Sequence, residues 1–257
     1  MKFAKCYPTS DEPTWRGLQL LEVEEFDIFL SGPVRDRVTD AAFEQELADD
    51  LAALASTQMA SDTLLKVLSA PAAPLEWEIG EAIAECLLEQ EFDVNWPWNE
   101  NRDRKTPRAS LPGADLVGLV GYAEDATLLF GEVKTSSDEN QPPGVVSGRS
   151  GLAHQIDTLA TSIGTQASLI RWLHSRCKGT THWPRFQDAC RRYLRSGGKD
   201  VALVGILLRD TGPHEDDLRT RGRALSSLQQ PPSVRLDAWY TPRPIAEWVA
   251  IVTGEAQ

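Results

Sequence analysis

The chain has 257 residues, of which 41% are hydrophobic and 25% are charged. This composition is ordinary for a soluble globular protein with one good core, or one core with an appended subdomain. No apolar run approaches the length of about 18 residues that a transmembrane helix needs, and the first residues lack the apolar core of a signal peptide, so we expect a cytoplasmic protein. The four cysteines form no Cys-x-x-Cys pair and are expected to be reduced thiols.

The net charge of −12 is distributed unevenly along the sequence. Residues 1–100 contain six Lys or Arg against 21 Asp or Glu, a net charge of −15, whereas residues 101–257 have a net charge of +3. An acidic segment repels the phosphate backbone of a nucleic acid. The first 100 residues are therefore expected to face away from nucleic acid, to dock on a basic partner, or to form an ordinary solvated acidic surface.

The first third of the chain is predicted to contain one strand and two helices. Residues 18–30 mix aliphatic side chains with Glu and then become apolar, which favours a strand that ends at Ser31-Gly32-Pro33. Apolar residues at helical spacing predict a helix over residues 40–56, with Asp40 as its N-cap, and a second helix over residues 61–69.

A segment rich in alanine and proline, residues 70–74, is the best candidate for a domain boundary. We therefore divide the chain into an acidic N-terminal extension, residues 1–73, and a main domain, residues 74–257.

Residues 77–90 are predicted to form a helix with one apolar and one acidic face. The acidic face consists of Glu78, Glu81, Glu85 and Glu89, which are spaced three or four residues apart. Four like charges on one face destabilise an isolated helix by about a few tenths of a kcal/mol per pair, so another group is expected to offset them.

Residues 92–96 are predicted to form the first core strand. The following segment, residues 99–110, is polar and basic. It would either track a phosphate backbone or form a surface loop, and its candidate nucleic-acid-binding residues are Arg102, Arg104, Lys105 and Arg108.

Two apolar runs, residues 116–120 and 128–130, are separated by a turn-like segment and predict a hairpin. Asp115 immediately precedes the first run, and the second continues into Gly131-Glu132-Val133-Lys134. Because strand side chains alternate between faces, Glu132 and Lys134 point to the same side of the sheet, and pairing of the two runs can bring Asp115 near them. Two carboxylates and one ammonium group would then share a small volume, as metal-assisted phosphodiester hydrolysis requires.

The rest of the chain alternates helices and strands. Residues 138–151 are a glycine- and proline-rich loop in which Arg149 could contact a phosphate group. Helices are predicted from His154 to about Arg176, over residues 184–196 and over residues 244–252. Strands are predicted over residues 200–208 and 234–240, and a polar loop over residues 211–227.

Asp115, Glu132 and Lys134 together resemble the signature of the PD-(D/E)xK nuclease superfamily. Residues 112–115 read Pro-Gly-Ala-Asp, so the proline and the aspartate are not adjacent here. The resemblance covers roughly residues 75–210 and implies a restriction-endonuclease-like α/β fold, in which helices flank a mixed central sheet. In this chain an acidic, mostly helical extension would precede that fold.

The resemblance also implies roles for individual residues. Asp115, Glu132 and the backbone carbonyl of Val133 would bind Mg²⁺ or Mn²⁺, and Lys134 would orient the attacking water. Glu81, or alternatively Glu85, would be the helix carboxylate near the metal. Gln155 matches the glutamine of a Gln-x-x-x-Tyr motif that one branch of the superfamily carries, although Leu159 replaces the tyrosine.

The expected function is therefore metal-dependent cleavage of DNA. Because the first third is acidic and no segment resembles a base-recognition helix, we expect control by a protein partner such as an ATPase, a helicase or a sensor subunit, in a bacterial defence or DNA-processing system. The alternative is a non-catalytic acidic interaction or scaffold protein built on a nuclease-like core. Action on RNA remains open.

Overall fold

The computed structural model describes residues 1–7, 14–68, 73–103, 113–226 and 233–255. Within these ranges a six-stranded mixed sheet is flanked by helices, which makes the fold α/β. The strands follow the order β1-β2-β6-β5-β4-β3 across the sheet. They are β1 (Phe3–Tyr7), β2 (Thr14–Leu20), β3 (Leu116–Val120), β4 (Thr127–Ser136), β5 (Ala202–Arg209) and β6 (Ser233–Tyr240).

The four inner strands, β2, β6, β5 and β4, are parallel, and the outer strands β1 and β3 pair antiparallel with their neighbours. The central strand β5 is buried along almost its whole length. Parallel strands covered on both faces are typically continuous apolar runs, which explains the uninterrupted run Ala202–Leu208.

Ten α-helices lie in the described parts of the chain. They are α1 (Val23–Phe29), α2 (Arg35–Val38), α3 (Ala41–Leu54), α4 (Gln58–Leu68), α5 (Glu76–Phe92), α6 (Leu152–Thr161), α7 (Ile163–Cys177), α8 (Trp183–Arg195), α9 (Arg219–Ser226) and α10 (Trp248–Thr253). A π-helical turn, Leu30–Val34, joins α1 to α2. None of these helices is long and apolar enough to cross a membrane.

Helices cover the two faces of the sheet separately. Helices α6, α7 and α8 contribute to a core cluster that includes Leu128 and Phe130 of β4. Helices α1, α5 and α10 contribute to a second cluster that includes Leu129 and Val133 of the same strand. The alternation of β4 side chains between the clusters follows from the two-residue period of a strand.

The N-terminal strands belong to the same sheet as the rest of the chain. β2 pairs in parallel with β6, and Trp15 lies opposite Leu236. Residues on both sides of the expected boundary near residue 73 therefore contribute strands to one sheet.

The strand predicted over residues 18–30 is only partly correct. Residues 14–20 form β2, but residues 23–29 form α1. The apolar side chains Phe26, Phe29, Leu30 and Val34 are buried at helical spacing, so tertiary burial selects the helix over the strand for this short apolar run.

The strand predicted over residues 92–96 is wrong. Phe92 ends α5, and Asp93 adopts a left-handed conformation with φ of 52°. Asn95 makes an isolated bridge to Leu119, with N–O distances of 2.7 and 2.9 Å. Pro97, which has no backbone N–H to donate to a neighbouring strand, follows two residues after Asn95.

Two further predictions need correction. The helix predicted over residues 154–176 is two helices, α6 and α7, because Ser162 has extended backbone angles and its Oγ accepts a hydrogen bond from Thr165 N at 3.2 Å. The polar loop predicted over residues 211–227 contains α9, whose Gly222 packs against the ring of Trp15. The other helices and strands are confirmed to within a few residues, and most of the predicted linker lies outside the described residues.

Candidate active site

The hairpin of β3 and β4 brings Asp115 next to Glu132. Leu116 pairs with Gly131, so Asp115, one residue before β3, lies level with Glu132. Oδ2 of Asp115 accepts a hydrogen bond from the backbone N–H of Val133 at 2.9 Å. The carboxylate thus replaces the carbonyl that a longer β3 would offer to this N–H, and the bond fixes its position.

Glu132 and Lys134 lie on the same face of β4. Glu132 is buried, with 5% of its surface exposed, and Lys134 is half-buried. Nζ of Lys134 lies 2.5 Å from Oε1 of Glu132. A charge-assisted hydrogen bond of this length holds the ammonium group at the carboxylate pair.

The pair of carboxyl groups is electrostatically destabilised in the ionised form. Burial, together with the charge of Asp115, raises the pKa of Glu132 to about 7, against the opposing effect of Lys134. Burial also raises the pKa of Asp115, against the Val133 N–H and Lys134. The two carboxyl groups share a hydrogen bond, and a bound cation would take the place of the shared proton.

A cavity of about 30 Å³ lies beside Asp115. It has room for roughly one water molecule or a small cation. Glu81 and Glu85 of α5, the two alternative helix carboxylates, both line the cavity that Asp115 also lines. The other lining residues are Arg37, Val38, Glu78, Ala82, Asn99, Glu100 and Asn101.

The acidic face of α5 is stabilised by two contacts. Glu78 accepts a hydrogen bond from the backbone N–H of Leu75 at 2.6 Å and so caps the start of the helix. Arg37 of α2 lies 3.5 Å from the Glu85 carboxylate and hydrogen-bonds to Glu89. These contacts offset the like-charge repulsion within the helix.

Arg37 is a charged cavity residue that the sequence did not predict. It is about 50 residues from its partners on α5, and the sequence around it has no feature that distinguishes it from a surface arginine. The unexplained stability of an all-acidic helix face was the one signal for it, and that signal did not identify the partner.

The carboxyl group of Glu85 has a raised pKa. Burial raises the pKa of Glu85 to about 7, against the opposing charge of Arg37. Glu81 and Glu85 both line the cavity at Asp115 and both stay candidates for the helix carboxylate.

Gln155 lies on the face of the sheet that carries Glu132 and Lys134. Glu132 is level with Gly205 of β5, where an added Cβ would be 3.3 Å from Leu152 and 3.4 Å from Ile156 of α6. Helix α6 therefore covers the sheet at this point, and half-buried Gln155 lies between its two contact residues along the helix.

The candidate nucleic-acid-binding residues are distributed differently. Arg102 hydrogen-bonds to Asp40 and lies over the rings of Phe43 and Trp98, at 4.7 and 4.8 Å from their centroids. Arg149 is exposed in the loop before α6. The remaining three, Arg104, Lys105 and Arg108, lie outside the described residues.

The donor set suits a hard divalent cation. Mg²⁺ is bound in many proteins by one or two carboxylates and retains several waters, so Asp115 and Glu132 suffice as side-chain ligands. In the described ranges no group of three or more His, Cys, Asp or Glu side chains converges on a point.

No protein-family model, no curated protein and no solved structure matches the chain.

Proposed function

We propose that this protein is a metal-dependent phosphodiesterase that cleaves DNA, built on a restriction-endonuclease-like fold of the PD-(D/E)xK type. The observation that supports the proposal best is the strand register. It places Asp115 level with Glu132 and puts Lys134 2.5 Å from Glu132. Three residues chosen from a sequence pattern thus share one small volume in the folded chain.

The order of elements around the site also supports the proposed fold. A helix, α5, precedes the hairpin that carries the three residues, and the hairpin is followed by α6, with Gln155, and by the parallel strand β5. The resemblance implies this order with one more strand between α5 and the hairpin, which residues 92–96 do not form. The antiparallel pairing of β3 with β4 and the parallel pairing of β4 with β5 make the sheet mixed.

The carboxylates of Asp115 and Glu132, with the carbonyl of Val133, would hold Mg²⁺ or Mn²⁺. The ion would supply Lewis-acid activation of a phosphate group and would lower the pKa of a bound water. Lys134 would orient the attacking water and stabilise the negative charge that develops on the phosphate. Glu81 would add a carboxylate beside Asp115, and Gln155 would support the site from α6.

DNA contacts are proposed at the basic residues outside the site, in particular exposed Arg149 and the segment that contains Arg102, Arg104, Lys105 and Arg108. The acidic first third cannot provide these contacts, because it repels phosphate groups. We therefore also propose that a protein partner brings the chain to its substrate.

The test is incubation of the purified protein with supercoiled plasmid and, in parallel, with RNA, in Mg²⁺, Mn²⁺ or EDTA. We expect metal-dependent cleavage of DNA that is abolished in Asp115→Ala, Glu132→Ala and Lys134→Ala. Matched controls are Glu139→Ala and Lys199→Ala, which replace an exposed acid and an exposed lysine away from the site and should leave cleavage unchanged.

A second readout does not depend on cleavage. Mg²⁺ that binds the folded chain alone should raise its melting temperature. It should not do so for Asp115→Asn, which retains an acceptor for the Val133 N–H but removes one metal-binding charge. Full cleavage in all three alanine variants contradicts the proposal, and absence of both cleavage and Mg²⁺ stabilisation favours a non-catalytic scaffold.

A further inference from the structure

Helices α3 and α4 contribute almost nothing to the core of this chain. None of their 14 and 11 residues is buried. α3 packs on α2 and α4. Its N-terminal end is held by Arg102, which hydrogen-bonds to Asp40 and lies over the ring of Phe43. The two helices, here called the docking arm, thus contain no buried residue and contact the rest of the described chain at α2 and Arg102.

Large apolar side chains on the docking arm face solvent. The exposed fractions are 77% for Leu54, 79% for Met59, 67% for Leu65 and 57% for Val67. Met59, Thr63 and Val67 are four residues apart and therefore form one line along α4. Isolated helices shorter than about 12–15 residues are marginal in water, and most helix stability comes from packing of an apolar face, so these side chains favour a surface that covers them.

The charge of the docking arm determines which surface fits. Helix α3 contains Glu44, Glu46, Asp49 and Asp50 and no Lys or Arg. A second copy of the chain would bring the same four negative charges to the contact, and a nucleic acid would bring phosphate groups. Both are repelled, whereas a basic protein surface is attracted.

We propose that the docking arm binds a protein partner through an apolar groove bordered by Lys and Arg side chains. The groove would bury Leu54, Met59 and Val67, and its basic border would pair with the acids of α3. This is the helix-in-groove mode of recognition, in which apolar side chains supply affinity and charges supply orientation and association rate. The surface is separate from the candidate active site, and the proposal does not depend on cleavage.

The probe is a synthetic amphipathic helical peptide of leucine and lysine, which supplies an apolar stripe with a basic border. Its binding to the full chain is measured by fluorescence anisotropy. We expect binding that weakens by about tenfold or more in Leu54→Gln/Met59→Gln/Val67→Gln, which keeps the net charge and removes only apolar contacts. Amide hydrogen exchange of residues 41–68 should slow when the peptide is added.

The matched control is Ile28→Gln/Ile163→Gln/Leu194→Gln, whose side chains are 70%, 65% and 74% exposed outside the docking arm. This variant should bind the peptide like the wild type. A second comparison neutralises the four acids of α3 in one variant, and Glu22, Glu24, Glu124 and Glu139 in another. The first neutralisation should weaken binding more than the second.

Two results would overturn the proposal. Equal peptide affinity in the docking-arm variant and the Ile28 control would show only non-specific attraction of a basic peptide to an acidic protein. A dimer in sedimentation velocity that Leu54→Gln/Met59→Gln/Val67→Gln dissociates would show that the docking arm binds a second copy of the chain instead.

Discussion

At the scale of single residues, the folded chain contains carboxyl groups in positions that favour the protonated form. Glu132 is buried beside Asp115, and Glu85 is half-buried on α5 with Arg37 at 3.5 Å. Burial raises the pKa of both Glu132 and Glu85 to about 7. Carboxylates in such positions are retained more often at functional sites than for stability.

Glu85 gives a prediction about stability and pH. Its pKa rises from 4.5 in the unfolded chain to about 7 in the folded chain, chiefly through burial. The folded state therefore binds the proton more tightly, so this stabilisation is complete below pH 4.5 and is lost as the pH rises through 7. We expect Glu85→Gln to remove part of the fall in unfolding free energy between these pH values.

The measurement is urea unfolding of the wild type, Glu85→Gln and the exposed control Glu139→Gln at several pH values in that window. Glu139→Gln should follow the wild type. Parallel curves for all three proteins would show that Glu85 is ionised in the folded chain and that Arg37 outweighs burial. The titration of Glu132 changes the unfolding free energy over the same pH range in all three proteins, so its contribution cancels when the proteins are compared.

At the scale of elements, the contact between α5 and β4 holds the helix against the hairpin. Gly80 allows this contact, because an added Cβ would lie 2.5 Å from Cγ2 of Thr135 on β4. Thr135 follows Lys134, so the same strand carries the site on one face and this close helix contact on the other.

Gly80→Ala should therefore destabilise the chain although alanine favours helices. The helix propensity gain is about 1 kcal/mol, whereas overpacking against a stiff β-branched side chain costs about 1–3 kcal/mol. Thr135→Ser removes the methyl group in question, so Gly80→Ala should become neutral or stabilising in the Thr135→Ser background.

A double-mutant cycle measured by thermal or urea unfolding tests this contact. The coupling between the two positions should be about 1 kcal/mol or more. Additive effects would mean that α5 shifts away from β4 at little cost, and the argument for close positioning of Glu81 would fail with it.

At the scale of the whole molecule, a buried polar network joins the first strand to the last. Nη1 of Arg209 lies 2.7 Å from Oδ1 of Asp217, and the Tyr240 hydroxyl donates to Oδ2 at 2.7 Å. The hydroxyl groups of Tyr7 and Tyr240 are 2.8 Å apart. Arg209 also donates to the carbonyls of residues 138 and 140, so the network fixes the loop that follows the candidate catalytic strand.

Replacement of Arg209 alone should lower the unfolding free energy more than replacement of Arg209 and Asp217 together. Arg209 and Asp217 have side chains that are 1% and 0% exposed. Arg209→Met leaves the buried carboxylate of Asp217 without its counter-charge and should cost about 3–5 kcal/mol of unfolding free energy. Arg209→Met/Asp217→Asn removes that charge, and we expect it to recover a substantial part of the loss.

An ion pair on the surface is the control for the buried pair of Arg209 and Asp217. Arg243 and Asp27 form two hydrogen bonds of 2.9 and 2.6 Å but are about one-third exposed. Arg243→Met should cost at most about 1 kcal/mol. Equal losses for Arg209→Met and Arg243→Met in urea unfolding would remove the distinction between the buried and the surface pair.

Local pattern was sufficient for much of this molecule. The hairpin with Asp115, Glu132 and Lys134, the helix with the acidic face and the buried run of β5 are each encoded in a few consecutive residues. Side chains return to the same face every two residues in a strand and every 3.6 residues in a helix. Where one face of an element is buried, apolar residues therefore recur in the sequence with that period. For the same reason the sequence could indicate which side chains share a face of β4.

Only the tertiary structure determined the features that depend on contacts between residues far apart in the sequence. Whether residues 26–30 form a strand or a helix was decided by the cluster into which Phe26 and Leu30 pack, because a short apolar run fits both periods. The parallel pairing of β2 with β6, the approach of Arg37 to the α5 acids and the cavity at Asp115 join residues far apart in the chain. Such contacts form only when loop closure brings separate segments together, and no local period encodes which segments meet.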